Sequence, residues 1–302
     1  MGSFATTAGV LGAAAIALTM APAPAQAQVA RRVVPVPCSS SALATAITAA
    51  NMTSATLHLA ANCVYTITTA ATAADALPIV TGNIRLVGGP STTIRRATTA
   101  AAVRILEVAA SGTLRVDGIF IESGAPAAGV AGAGIETAGS LTLDRVTVAG
   151  NATTGANGGG VDITAAGTAL IDRTAITGNS AGGFGSGINN AGSLTLVDSR
   201  LSANNSTLAG SGGGALATQV GATSRVIQST LEFNSATGNG GGIDNLGTTQ
   251  VERTLIQHNA ATVNGGGIFN LAPGTVTVRR SIIRNNTPNN CFPLGTIADC
   301  TA

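Results

Sequence analysis

The sequence contains no lysine and no tryptophan, and it has a single tyrosine. All fifteen basic residues are therefore arginines. Without lysine the chain cannot form a lysine Schiff base or a phosphate-binding loop of the Walker type. Aromatic residues make up only 2% of the chain, which removes most of the flat side chains on which sugar-binding grooves commonly depend.

Charge is also scarce, since charged residues are 9% of the chain and the formal net charge is +2 at pH 7. The arginines are scattered, and no basic stripe is interleaved with aromatic residues, so we expect no nucleic-acid partner. Hydrophobic residues reach 45% and glycines number 40. This composition supplies a core and excludes a disordered chain.

Six copies of one glycine-rich phrase organise the chain. In each copy Gly-x-Gly is followed by an apolar residue, and the copies start 26, 27, 27, 28 and 25 residues apart. A regular period of this length indicates a solenoid, which has one continuous core along its axis rather than two globular domains. The phrases occupy residues 132–135, 158–161, 185–188, 212–215, 240–243 and 265–268.

Short alternating runs follow each phrase. In one unit Leu141 and Leu143 alternate with polar residues, Asp144 and Arg145 form a corner, and the apolar alternation then resumes. Short strands separated by corners, with about 27 residues per circuit, are typical of a parallel β-helix. Crossover connections between parallel strands are right-handed. We therefore predict an all-β protein, a right-handed parallel β-helix (solenoid) with a short N-terminal capping helix.

The two ends of the chain depart from the repeat. An apolar run over residues 8–20, followed by Ala25-Gln-Ala27, is typical of a cleavable signal peptide and is too short for a membrane span, which needs about 20 residues. Apolar residues at helical spacing from Leu43 to Ala50 predict the capping helix. The predicted organisation is a signal peptide over 1–27, the cap and first coil over 28–78, β-helix coils over 79–286 and a disulfide loop over 287–302.

Four cysteines fit an exported protein. They permit three pairings. We expect Cys38 to pair with Cys63 and Cys291 with Cys300, because each pair is close in sequence and a rigid solenoid separates the two pairs. The spacing does not match a zinc site, and we predict neither a metal nor a cofactor.

An asparagine ends each unit. We expect these residues to form a structural ladder, since asparagine tolerates the left-handed conformation of a corner and stacked amides hydrogen-bond from coil to coil. A ligand site built of the same amides is the alternative. The ladder consists of Asn151, Asn179, Asn204, Asn234, Asn259 and Asn286.

The residue after each inward apolar residue forms a second row, which alternation turns outward. In it Glu136 and Asp162 stand one coil apart, a separation of about 5 Å that suits a retaining glycosidase or, with Asn189, a Ca²⁺ site. The other interpretation is a polar surface row without chemistry. We assign no catalytic residue and keep Glu136 and Asp162 as weak candidates. The predicted row is Glu136, Asp162, Asn189, Leu216, Asp244 and Phe269.

A corner row places acidic residues beside arginines. We expect surface ion pairs there, each worth at most about 1 kcal/mol, and the alternative is an arginine acting as a lyase base. The pairs are Asp144 with Arg145, Asp172 with Arg173 and Glu252 with Arg253.

The glycine phrase, the branched-x-x-Asn ending and the tail from Cys291-Phe-Pro to Cys300 resemble secreted bacterial right-handed β-helix proteins. The repeats also resemble those of chlamydial polymorphic outer-membrane proteins, and residues 38–51 are similar to the N-terminal cap of such secreted proteins. The resemblance covers residues 33–302. It implies the fold and export, whereas these families include pectin and alginate lyases, polygalacturonase-like hydrolases, adhesins and members without a known activity.

The predicted function is that of a secreted, non-catalytic β-helix scaffold or a surface-associated extracellular protein. One alternative is a polysaccharide lyase or glycoside hydrolase of the pectin-lyase-like type, and the other is an adhesin that binds a protein or glycan. We expect a monomer that meets extracellular polysaccharide or the cell envelope.

Overall fold

The computed structural model describes Gly2 and residues 32–300. Apart from Gly2, the predicted signal peptide over 1–27 lies outside the described residues. Residues 32–300 form a parallel β-solenoid of about ten turns, with one helix near its N-terminal end, which confirms the predicted fold class. No helix within the described part of the chain is long and apolar enough to cross a membrane.

Four parallel sheets run along the solenoid. From Leu106 onward each coil passes from sheet III to sheet I and sheet II, and four coils continue into sheet IV. Sheet I contains Arg32–Val36, Ala55–Leu59, Asn83–Val87, Thr113–Asp117, Ser140–Asp144, Thr168–Asp172, Ser193–Val197, Thr223–Ile227, Thr248–Glu252 and Thr275–Arg279. Sheet II contains Val64–Ile67, Thr93–Arg96, Phe120–Glu122, Thr147–Ala149, Ala175–Thr177, Arg200–Ser202, Thr230–Glu232, Leu255–Gln257 and Ile282–Arg284. Sheet III contains Leu106–Val108, Ile135–Thr137, Val161–Ile163, Ile188–Asn190, Leu216–Thr218, Ile243–Asn245, Ile268–Asn270 and Cys291–Phe292. Sheet IV contains Ser180–Ala181, Asn205–Ser206, Ser235–Ala236 and Ala260–Ala261.

Aliphatic columns fill the interior, because alternation along each strand turns every second side chain inward. In sheet I, Leu141 and Leu143 are buried while Thr142 is half-buried and faces outward. Equivalent residues of successive coils pair directly, so one aliphatic residue stacks on the next along the axis. The inward column of sheet III is Leu106, Ile135, Val161, Ile188, Leu216, Ile243 and Ile268.

The asparagines that end the units lie inside the solenoid, stacked one per coil. Each Nδ2 donates to the Oδ1 of the next asparagine at 2.9–3.0 Å, and each backbone N–H donates to the same oxygen at 2.9–3.1 Å. The stack begins at Gly124, whose N–H donates to Asn151, and ends where Asn286 donates to Asn290. The amides therefore satisfy backbone groups that the corner leaves without strand partners.

One part of the expectation for these corners was wrong. The left-handed residue is not the asparagine but the residue before it, because the chain turns first and then points the amide into the core. Those preceding residues have φ between 54° and 63°: Gly150, Gly178, Ala203, Phe233, His258 and Asn285.

The cap and the tail are each held by a disulfide. Cys38 pairs with Cys63, with a Cα–Cα distance of 5.8 Å, and Cys291 pairs with Cys300 at 6.2 Å, so the local pairing is confirmed. The helix Ser40–Thr53 begins after Ser39, whose side chain accepts from the N–H of Ala42 at 3.4 Å. The face that the helix buries against the first coils is formed by Leu43, Ile47 and Ala50.

The fourth glycine phrase begins one residue later in the structure than the prediction placed it. Its left-handed glycine is Gly213, with φ of 69°, which corresponds to Gly185 and Gly240 at 62° in the flanking coils. Leu216 consequently pairs with Ile188 and points inward. The run of three glycines over 212–214 hides this shift of one residue in the sequence.

Candidate functional site: the polar row on sheet III

The outward row of sheet III brings Glu136 and Asp162 side by side, as their direct pairing across neighbouring strands shows. The row extends beyond the predicted members, because Glu107 pairs with Glu136 at its N-terminal end. Leu216 does not belong to it, since the register gives Ala217 that position. The complete row is Glu107, Glu136, Asp162, Asn189, Ala217, Asp244, Phe269 and Phe292.

This row is not an open surface, contrary to the expectation of an outward polar ladder. Asp162 is 6% exposed and Asp244 is 3% exposed. The chain leading into each strand turns back over the row at a left-handed glycine. A Cβ at Gly158 would lie 2.6 Å from the Cβ of Asp162, and one at Gly240 would lie 2.7 Å from that of Asp244. Glycine is needed at these positions both for its positive φ and for this close approach.

Arg104 closes the N-terminal end of the row. Its Nε lies 2.9 Å from Asp75 Oδ1, and its Nη1 is ion-paired with Glu136 and lies 3.7 Å from Glu107 Oε2. The Arg104 side chain is only 8% exposed. The sequence interpretation missed Arg104, Asp75 and Glu107, which belong to the looser early coils. The one available signal was Glu107, which precedes Glu136 by one repeat period.

Hydrogen bonds continue the row away from Arg104. The Nδ2 of Asn189 donates to Asp162 Oδ1 at 2.8 Å, and the Nε2 of Gln219 donates to Asn189 Oδ1 at 2.7 Å. The polar contacts therefore form two adjacent segments, one from Asp75 to Glu136 and one from Asp162 to Gln219, and each predicted candidate is held by neighbours within its segment.

The electrostatics reflect four carboxyl groups around one guanidinium. Burial, together with the charge of Asp75, raises the pKa of Glu107 against the opposing effect of Arg104. Burial also raises the pKa of Asp162, although the hydrogen bond from Asn189 and the charge of Arg104 act to lower it. Desolvation disfavours the charged form of a carboxyl group, so both groups hold a proton to higher pH than exposed carboxyls do.

This arrangement limits the chemistry of the row. A general acid or base must come within hydrogen-bond reach of a bound substrate. Glu136 is engaged by Arg104, and Asp162 lies beneath the chain and is bound by Asn189. Across residues 32–300, no group of three or more His, Cys, Asp or Glu side chains is arranged to hold a metal ion.

Asp244, further along the row, has a different environment. It lies between Ala217 and Phe269, and burial raises its pKa to about 7. Its Oδ1 is buried and has no hydrogen-bond partner among the described residues. A Cβ added at Gly212 would lie against the carboxylate, so the backbone of the preceding coil covers this group.

The corner row between sheets I and II forms a larger network than the three predicted pairs. Arg145 and Arg173 contact Asp144 at 3.2 and 2.8 Å, and Arg115 contacts it at 3.1 Å. The Asp144 side chain is only 5% exposed, so these are not simple surface pairs. Asp172 contacts Arg173 at 2.9 Å, within the same network. The pair of Arg253 with Glu252, at 3.2 Å, is exposed as expected.

Asp117, which the sequence interpretation also missed, extends this network towards the N-terminus. It contacts Arg85 at 2.7 Å and Arg115 at 2.8 Å. Burial by itself would raise the pKa of Asp117, but the hydrogen bonds from the two arginines outweigh it and lower the pKa. The guanidinium groups of this corner are thus committed to carboxylates within the protein.

A crystal structure of pectate lyase Pel9A is similar to this chain over most of its length. The TM-score is 0.51 and the sequence identity is 14%, and the similarity covers 86% of this chain and 78% of the pectate lyase chain. At this identity the similarity shows the fold alone. No protein-family model and no curated protein matches the sequence.

Proposed function

We propose that this chain is an exported, non-catalytic β-helix scaffold that acts outside the cell or at the cell envelope. The observation that carries the proposal is the state of the two candidate carboxylates. Glu136 is ion-paired with a nearly buried arginine, and Asp162 is 6% exposed and bound by an amide. A polymeric substrate would have to displace both the arginine and the covering chain.

Three features support the extracellular location. Both disulfides close local loops at the ends of the solenoid, and disulfides persist in oxidising compartments. The predicted signal peptide over 1–27 and the resemblance to secreted β-helix proteins point the same way. An extracellular polysaccharide or the envelope is the partner that we propose for such a surface.

A polysaccharide lyase is the second candidate, and the similarity to pectate lyase Pel9A is the observation that favours it. In such an enzyme Glu136 and Asp162 would be the acidic groups and Arg104 the adjacent cation. The geometry favours this candidate less, because the three groups neutralise one another instead of facing a substrate.

Turnover assays separate the two candidates. The parent chain and a Glu136→Gln/Asp162→Asn variant are incubated with pectate, polygalacturonate and alginate, with and without Ca²⁺, and the release of unsaturated or reducing ends is measured. We expect no turnover in either protein. An Asp198→Asn variant, changed at an exposed carboxylate at the corner between sheets I and II, is the matched control.

Activity in the parent and in the control that disappears in the double variant would overturn the scaffold proposal and assign the row as an active site. Activity that survives in all three proteins would also overturn it, and would place the active site elsewhere. Thermal melts of the variants test whether each is folded.

A further inference from the structure

The C-terminal coils carry arginines on sheet I that the protein leaves without carboxylate partners. Arg225, Arg279 and Arg280 are exposed, and none of them takes part in an ion pair or a side-chain hydrogen bond within residues 32–300. In the earlier coils, by contrast, Arg115 occupies the same outward column and is held by two aspartates. Apart from Arg32 on the first strand, every other arginine within residues 32–300 has an ion pair or a side-chain hydrogen bond, so the unpaired guanidinium groups cluster in the last coils.

Two of these arginines, Arg225 and Arg279, border a cavity of about 220 Å³ on the outer face of sheet I. Its lining comprises Arg225, Gln250, Val251, Glu252, Thr277 and Arg279. Arg225, Gln250 and Thr277 stand in register on three successive strands, so the two arginines are about 10 Å apart along the solenoid axis. Pockets for whole small molecules are usually about 300–1,000 Å³, so this cavity suits a single charged group of a larger ligand.

The charge balance selects the kind of anion. Two guanidinium groups line the cavity together with the carboxylate of Glu252, which is already paired with Arg253 at 3.2 Å. The cavity therefore has an excess of positive charge. An oxyanion matches this excess, and a carboxylate also matches the planar donor pairs of arginine. The exposed Arg280 at the adjacent corner favours a ligand with further negative charges beyond the cavity.

The surface beside the cavity favours a polysaccharide. Thr223, Thr248 and Thr275 form an exposed column next to the arginine column. Their hydroxyl groups, with the amide of Gln250, can exchange hydrogen bonds with the hydroxyl groups of sugars. A single exposed carboxylate–arginine contact is weak, so a polymer that repeats its carboxylates gains affinity through several simultaneous contacts.

We propose that the outer face of sheet I in the last coils binds the carboxylate groups of an acidic polysaccharide, with Arg225 and Arg279 as the principal contacts. This site lies on a different sheet from the row containing Glu136 and Asp162. The inference names a ligand class for the scaffold and rests on the proposed function. Binding and turnover are measured separately, so the failure of one proposal is distinguishable from the failure of the other.

The test measures the affinity of the purified chain for alginate by biolayer interferometry. We expect binding that weakens as NaCl is raised from about 0.05 to about 0.5 M, and that falls about tenfold or more in an Arg225→Gln/Arg279→Gln variant. An Arg115→Gln variant is the matched control, because its guanidinium lies in the same column but is committed to Asp117 and Asp144. We expect this control to bind as the parent does.

Dextran, dextran sulfate and polyglutamate serve as comparison ligands. Equal binding by the parent and the double variant, or no binding of alginate, would overturn the proposal. Binding of dextran sulfate tighter than alginate at equal charge would assign the face to sulfate instead. Equal binding of polyglutamate would show that sugar hydroxyl groups contribute nothing, and would overturn the polysaccharide assignment.

Discussion

The early coils, residues 83–172, and the late coils, residues 188–279, share one backbone but place polar groups differently along sheet I. In the early coils the inward column of this sheet is aliphatic, as at Leu141, and an outer arginine such as Arg115 is paired with the buried Asp144. In the late coils Ser224 and Thr249 occupy that column, and the outer Arg225 has no carboxylate partner among the described residues. A solenoid can therefore assign separate roles to its two ends without changing its fold.

The polar interior of the late coils is a connected network. The hydroxyl of Thr249 lies 3.0 Å from Thr218 Oγ1 and 2.7 Å from Asn245 Oδ1. Ser224 lies 2.8 Å from Thr218 Oγ1 and accepts from Asn190 Nδ2 at 2.9 Å. Because every member has a partner, burial of these groups carries no unsatisfied polar atom at these contacts.

The largest effect is expected at the asparagine ladder, which both regions share. Asn204→Leu removes the hydrogen bonds that the Asn204 side-chain amide makes with Ile176, Asn179 and Asn234, and it leaves their buried polar groups without partners. We expect the free energy of unfolding in urea to fall by about 3 kcal/mol or more, since each stranded group costs about 1–3 kcal/mol.

The neighbouring Asn205→Leu is the control. Asn205 is exposed, and within residues 32–300 its side chain accepts a hydrogen bond from Ser235 alone. A change of about 0.5 kcal/mol or less is expected there. If Asn204→Leu melts like the parent, the ladder does not stabilise the coils, and the ligand interpretation of its amides gains support.

The second prediction concerns the pH dependence of stability, and it compares Asp244 in the late coils with Asp117 in the early coils. The pKa of Asp244 is raised from 3.8 to about 7, so the folded state binds more protons than the unfolded state between these values. The contribution of Asp244 to the free energy of unfolding is fully present below about pH 4. It is lost as the pH rises to about 7, and the loss is on the order of a few kcal/mol. Asp117 acts in the opposite direction, because its pKa is lowered and its contribution disappears in acid.

Urea unfolding at about pH 5 and about pH 8 measures the difference. We expect Asp244→Asn to reduce the loss of stability between these two pH values. The raised pKa values of Asp162 and Glu107 leave a residual loss of the same sign in the variant. An unchanged pH dependence in the variant would contradict the environment described for Asp244.

The third prediction compares the ion pairs of the two regions directly. Asp144→Asn removes a nearly buried carboxylate from contact with three arginines, and we expect a loss of about 2 kcal/mol in urea unfolding. Glu252→Gln removes an exposed pair with Arg253, for which about 0.5 kcal/mol or less is expected. Equal losses in the two variants would remove the distinction between the early and late corners.

The smallest expected effect is on stability, and it compares the loss of a buried hydroxyl group in the late coils with the same loss in the early coils. Thr249→Val deletes a bonded hydroxyl from the late network and is expected to cost about 1–2 kcal/mol. Thr137→Val deletes a buried hydroxyl that has no hydrogen-bond partner in the described residues, so its stability should stay equal or rise by up to about 1 kcal/mol. Thermal and urea unfolding of both variants measure this difference, and a destabilised Thr137→Val would contradict it.

The fold could be predicted because the period and the alternation are local patterns. The regular spacing indicated the solenoid, and the positions of the four cysteines indicated the two disulfides. The phase error at Gly213 arose because three successive glycines satisfy the motif in two ways. The left-handed residues before the ladder were missed because alanine, phenylalanine and histidine carry no sign of that conformation.

The candidate site could be predicted only in part. Alternation placed Glu136 beside Asp162, and the register shows this pairing. It could not reveal that the incoming chain covers the row, because that depends on the path of the turn and not on alternation. It could not reveal that Arg104 is held against Asp75 and Glu136, because Asp75 and Arg104 precede the regular repeat, whose period fixes the register. The same limit hid the difference between Arg115 and Arg225, whose partners depend on which residues occupy the neighbouring coils.

The most direct test of the difference between the early and late coils is the reactivity of the arginines themselves. The folded chain is treated with a dicarbonyl reagent, and the rate of modification at each arginine is followed by peptide mass spectrometry. We predict that Arg225, Arg279 and Arg280 react fastest, that Arg115 and Arg173 react more slowly, and that Arg104 is protected. Modification of Arg104 or Arg115 as fast as that of Arg225 would contradict the proposed difference between the two regions.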